Sequence, residues 1–254
     1  MRKIFAFSLF TLICTYASAQ DDDIKNFRFG LKVTPSVNWI KPEGKIIAND
    51  GIALKYGWGL ILEYRMAKII AIQSGFQLDV VGGKAKYDNG TAVNTNSVSY
   101  FYNKLDDAIV KYDDKYLLDT TDTYQHYQLN GRSYSVTYIT LPFIIKMKTK
   151  EIGSLTYFGQ FGINNSIRWK AVAKDDISPI DNTTGKTGAA ESLSKINVTK
   201  DMNLYMGSLN MGLGAELNLS GSTSFTFGLN YNLGFTSIVK NNSDYLQRTS
   251  NTSK

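Results

Sequence analysis

His126 is the only histidine of the 254-residue sequence, and Asp119, Asp122 and Ser133 lie close to it in the chain. A nucleophile, a base and an orienting carboxylate within hydrogen-bond reach would make an acyl-transfer site. Here proximity along a polar stretch is the sole support, so a solvated histidine is the simpler reading and a hydrolase using His126 is carried as an alternative. Gly185-Lys186-Thr187 has the end of a phosphate-binding loop, but the pattern needs glycine five residues earlier and that residue is Ile180. The acidic pairs Asp106-Asp107, Asp113-Asp114 and Asp175-Asp176 lack the spaced ligands and glycine of a calcium loop and read as solvated loop charge. No catalytic, metal or cofactor set emerges, and no cofactor is expected. More telling are Arg28, Lys32, Glu63, Arg65, Asp79, Lys146, Arg168 and Glu216, which share one face of alternating stretches and must be positioned by them.

The amino end frames those stretches. Arg2 and Lys3 precede an apolar run from Ile4 to Cys14, and Ala17-Ser18-Ala19 closes it, the layout of a cleaved secretory signal over residues 1–19 with Gln20 as the mature start. The run is broken by Ser8, Thr11 and Thr15 and is too short for a spanning helix of about twenty residues. Ile13 is too large for the small-residue site that would make Cys14 an acylated first residue. Cys14 is the one cysteine, so the exported protein carries no disulfide. Losing Arg2 and Lys3 lowers the net charge from +6 to +4, too mild and scattered for a nucleic-acid partner.

Beyond the signal no apolar stretch reaches eighteen residues, which excludes a helical membrane protein. Seven segments instead alternate with period two: 27–39, 56–66, 69–82, 134–148, 155–169, 205–219 and 224–235. In the last, Phe225, Phe227, Leu229, Tyr231, Leu233 and Phe235 oppose Ser224, Thr226, Gly228, Asn230, Asn232 and Gly234. Each segment has at least ten residues, against five or six in a usual soluble strand, and about nine to eleven tilted residues cross a bilayer. The polar faces are rich in Gly, Ser, Asn and Thr, which suit a crowded barrel lumen. An outer-membrane β-barrel follows, with lipid as its surroundings.

The connections test that reading. With the amino terminus in the periplasm the gaps run 40–55, 67–68, 83–133, 149–154, 170–204 and 220–223, long and short in alternation, as expected of outer loops and periplasmic turns. Trp39, Trp58 and Trp169 then fall at outer strand ends on the lipid face and form an aromatic girdle. Asn130-Gly131 in the second outer loop predicts a tight hairpin turn. Pro35 and Pro142 interrupt two strands and predict bulges. Bacterial barrels have even strand numbers, so eight strands are expected where seven are found, and the polar Asn241–Lys254 stretch leaves the last strand apparently missing from the domain spanning 20–254.

These strands resemble the PorT-type outer-membrane β-barrel family of Bacteroidetes over nearly the whole mature chain. The most specific stretch is Tyr138-Ile-Thr-Leu-Pro142-Phe-Ile-Ile-Lys146, similar to the family's Tyr-Leu-x-Ile-Pro-Leu-Leu-Leu-Lys strand, with Thr140 where the family often has Glu. Gly30-Leu31-Lys32, Ile72-Gln73-Ser-Gly-Phe-Gln77-Leu and Gly212-Leu-Gly-Ala-Glu216-Leu add to it. The resemblance implies an eight-stranded, antiparallel, up-and-down barrel in the cell outer membrane, and one member type serves type IX secretion.

An eight-stranded lumen is just wide enough for side chains, so the eight inward charges should pair and fill it as a polar network. The expectation is a non-enzymatic barrel with a structural or protein-interaction role, touching partners through its outer loops or periplasmic turns. A small-solute channel lined by the same charges is the alternative from another class.

Overall fold

The computed structural model describes residues 26–42, 47–87, 97–119, 121, 123–220, 223–240 and 243–248. The signal expected over 1–19, Gln20 and Asp122 lie outside the described residues. Within them run β1 (Phe27–Asn38), β2 (Ile47–Asn49), β3 (Ala53–Ala67), β4 (Ile70–Tyr87), β5 (Val98–Asn103), β6 (Ala108–Val110), β7 (Tyr124–Lys148), β8 (Leu155–Ile180), β9 (Glu191–Asn197), β10 (Tyr205–Ser220), β11 (Thr223–Gly234) and β12 (Gln247–Arg248), with short 3-10 turns at Asp114–Leu118 and Thr199–Asp201. All twelve strands join one antiparallel sheet, and β1-β3-β4-β7-β8-β10-β11 follow one another as an up-and-down path. The seven alternating segments are these seven strands.

Alternation holds the register. Phe27, Phe29, Leu31 and Val33 of β1 face Tyr64, Leu62, Leu60 and Trp58 of β3, so apolar residues lie beside apolar residues on one face. A one-residue slip would turn that whole set to the other side of the sheet. The apolar face is bare: Leu31 is 83% exposed and Leu229 85%. Large side chains left this open need a lipid environment.

Three strands run well past the segments read from the sequence. β4, β7 and β8 extend to Tyr87, back to Tyr124 and on to Ile180, with β2, β5, β6, β9 and β12 attached to that outer part. The stretches expected to be long loops at 40–55, 83–133 and 170–204 therefore contain strand. The faces exchange character along the way. On β7 the outward residues change from Met147, Ile145, Phe143, Leu141 and Ile139 to Thr137, Ser135 and Ser133, while the inward ones change from Lys148 and Lys146 to Tyr138, Val136 and Tyr134. On β8 the run of large exposed apolar residues ends at Trp169, beside a register shift, and Lys170, half-buried Val172, Lys174 and Asp176 follow on the outer face. The apolar core sits inside this outer extension, where Tyr134, Val136 and Tyr138 pack with Ala171, Ala173, Ile177, Ile196, Met202 and Met206.

Three sequence expectations are corrected. Asn130-Gly131 is not a hairpin turn: it lies within β7, at a register shift between Leu129 and Gly131 against β8. Pro35 pairs in register with Tyr56, because β1 lies at the end of the ladder path and among the described residues has a ladder on one side only. Pro142 pairs in register with Asn164 of β8. Its missing N–H is instead absorbed toward β4, where the ladder skips from Gln73–Ile144 to Gln77–Thr140 across Gly75, whose φ of +150° suits glycine.

No ladder joins β1 to β11 among the described residues, and no eighth strand stands on the path. The sheet is curled all the same. Trp39, just past β1, lies 6.4 Å from Tyr231 of β11 between ring centroids, and Arg28 of β1 reaches Glu216 of β10 at 3.3 Å.

Candidate functional site

Period two puts Lys146 and Lys148 on the inner face of β7, Glu63 on that of β3 and Glu216 on that of β10, and the curl brings the four together. Lys146 Nζ donates to Glu63 at 3.1 Å and also contacts Glu216. Lys148 donates to Glu216 at 2.9 Å and also contacts Glu63. All four are more than nine-tenths buried. Small Ala71 of β4 lies directly beside Lys146 in the register, which leaves the long side chain room to sweep across the lumen. Lys146 Nζ also stands 3.9 Å from the centroid of the Phe158 ring, which adds a cation–π contact. Two cations and two carboxylates in mutual contact satisfy each other's charge, as burial demands.

Of the eight charges singled out from the sequence, Arg28, Glu63, Lys146 and Glu216 meet in this cluster, and Lys148 completes it. The others stand apart. Lys32 donates to Gln77 at 3.3 Å, and Arg168 donates to the Met202 carbonyl. Asp79 lies over Gly57, where any Cβ would collide with its carboxylate. Arg65 Nε has no hydrogen-bond partner among the described residues. Amides and hydroxyls occupy the intervening lumen: Gln160 donates to Asn230 at 2.6 Å, Asn210 to Asn232 at 2.7 Å, and Thr140 bonds Ser166 at 3.0 Å.

A second closure lies above. Arg132 and Asp175, both fully buried, form a two-point pair through Nε at 2.7 Å and Nη2 at 2.6 Å. The Tyr100 hydroxyl donates to Asp175 at 2.9 Å, and Tyr87 bonds Tyr134 at 3.0 Å. Asp175 beside the guanidinium holds Arg132 well above its usual range against the opposing effect of burial, and burial raises Tyr87 and Tyr100. Sequence reading placed Asp175 among solvated charges. The signal was its spacing, since Ala171, Ala173, Asp175 and Ile177 continue the alternation past Trp169 with reversed polarity.

His126 stacks on Phe101 at 4.5 Å in this extension, with Tyr112 at 6.2 Å. Neither ring nitrogen has a hydrogen-bond partner among the described residues, and burial lowers its pKa to about 4. The register sets His126 opposite Ile180 and Ser133 opposite Lys174, so the two are not brought together. Asp119 accepts hydrogen bonds from Thr121 and the Tyr124 amide.

The three tryptophans are exposed on the apolar face: Trp39, Trp58 and Trp169 at 53%, 57% and 67%. Neither Trp58 nor Trp169 is at a strand end, since β3 begins at Ala53 and β8 continues to Ile180. Trp58 pairs with Val33, six residues before Trp39 and about 20 Å lower along the strand, and Leu54 and Tyr56 continue the apolar face of β3 above it.

A family described as outer membrane protein beta-barrel domain matches residues 18–240. No curated protein and no solved structure matches.

Proposed function

The chain belongs to the outer membrane protein beta-barrel domain family, and from that premise we propose that it is a non-catalytic barrel with a side-chain-filled lumen and a structural or protein-docking role. The observation that carries this is the buried Lys146–Lys148–Glu63–Glu216 cluster, which occupies the lumen at its short-turn end while the tyrosine-rich core occupies the other. Long connections face outward in such barrels, so the extension of β4, β7 and β8 is the surface offered to partners outside the cell. The resemblance to PorT-type proteins adds a type IX secretion assembly as the setting of that contact.

Conductance in planar bilayers tests the reading. The wild-type protein is expected to show no discrete current steps, and because the tyrosine-rich core closes the other end, replacing Glu63, Lys146, Lys148 and Glu216 together by alanine should not introduce them either. Steps in the wild type would make the lumen charges those of a small-solute channel.

A further inference from the structure

The register aligns Lys84 of β4, Ser133 of β7 and Lys174 of β8 as direct cross-strand neighbours. All three lie on the outward face of the extension, and both lysines are exposed. Two strand spacings separate the lysine backbones by about 10 Å, a distance their flexible arms close over the serine hydroxyl. The row borders a cavity of about 210 Å³ also lined by Asp50, Arg132 and Asp176. Neither lysine has an ion-pair partner among the described residues, although Arg132 is committed to Asp175.

Height selects the ligand. Lys174 stands two residues beyond Val172, the last apolar outward residue of β8, and Lys84 two beyond the level of Leu54 on neighbouring β3. Two residues are about 7 Å of strand, which a tilt of about 40° turns into about 5 Å above the apolar band. That is the level of lipid headgroups rather than of acyl chains or bulk water.

We propose that the Lys84–Ser133–Lys174 row binds a phosphate group of a phosphorylated glycolipid in the outer leaflet. The two ammonium groups and the hydroxyl donate to phosphate oxygens, and Asp50 and Asp176 at the cavity wall accept from sugar hydroxyls. A site for free phosphate would gain nothing from those carboxylates; a phosphosugar uses both kinds of group. The inference rests on the outer-membrane reading above and adds a ligand to it.

The test uses the full chain refolded in detergent, with heat-modifiable gel migration as the check that a barrel has formed. Native mass spectrometry then measures binding of bis-phosphorylated lipid A and of its dephosphorylated form. Phosphorylated lipid should bind preferentially. The Lys84→Gln/Lys174→Gln variant should bind about thirtyfold more weakly, at about fivefold per lysine, while Lys111→Gln/Lys115→Gln should match the wild type. Equal binding of the dephosphorylated lipid, no loss in the first variant, or no binding by a heat-modifiable wild type each overturns the site. Displacement by millimolar inorganic phosphate would make it a free-anion site and overturn the lipid assignment. A wild type that never becomes heat-modifiable sinks the barrel reading, and this inference with it.

Discussion

Asp175 and Arg132 show how one buried pair can hold the extension of β4, β7 and β8 together. Replacing Asp175 by Asn leaves a guanidinium buried without its counter-charge, which costs about 3–5 kcal/mol. The variant should lose protease resistance in the extension while its barrel still migrates as a folded species; unchanged proteolysis would show that the pair does not hold this region together. His126 gives the extension a pH dependence of definite sign. Its folded pKa of about 4 lies below the ordinary 6.5, so the unfolded chain takes up a proton that the folded one refuses. Stability is full above about pH 6.5 and falls by up to about 1.4 kcal/mol per unit as pH drops toward 4. Protection factors of the β5 and β7 amides, taken against intrinsic exchange at each pH, should fall over that window in the wild type and not in His126→Phe.

Elements add a constraint that no single side chain carries. β4 and β7 meet where Pro142 has no N–H and Gly75 adopts φ +150°, and a Cβ at Gly75 would strike the Leu60 carbonyl of β3. Gly75→Ala combines that clash with backbone strain, so its cost should exceed about 1 kcal/mol. The expected result is a lower unfolding midpoint on heating in detergent, with Gly153→Ala as a comparison: Gly153 also has positive φ but nothing within 4 Å of its Cβ position. A Gly75→Ala midpoint no lower than that of Gly153→Ala would show that this clash is relieved at no cost.

Across the whole molecule, the exchange of inner and outer polarity places the bilayer. Phe143 lies within the apolar outer row of β7 and Ser135 beyond it. A lysine at Phe143 faces hydrocarbon and should cost about 2–4 kcal/mol, against about 0–1 at Ser135. Unfolding titrations of the two variants in lipid vesicles measure the difference, and equal costs would place the membrane elsewhere. The same exchange explains why the core is found in the extension: within the span, lipid takes the apolar face and the lumen takes the charge.

The sequence by itself determined the seven-strand path, the outward apolar faces and the inner placement of Glu63, Lys146 and Glu216, because a period of two assigns faces without knowledge of neighbours. It carried the family resemblance as well, through the stretch around Pro142. It did not show where strands end. β7 and β8 continue after their outer face turns polar, and a reading anchored on apolar-outward residues stops at that reversal. Asn130-Gly131 has a turn's composition, yet the neighbouring β8 holds it in line with only a register shift. Which charges pair was decided only by tertiary structure. Residues such as Glu63 and Lys146, 83 positions apart, meet only because the sheet curls, and curvature depends on the pairing of all the strands together.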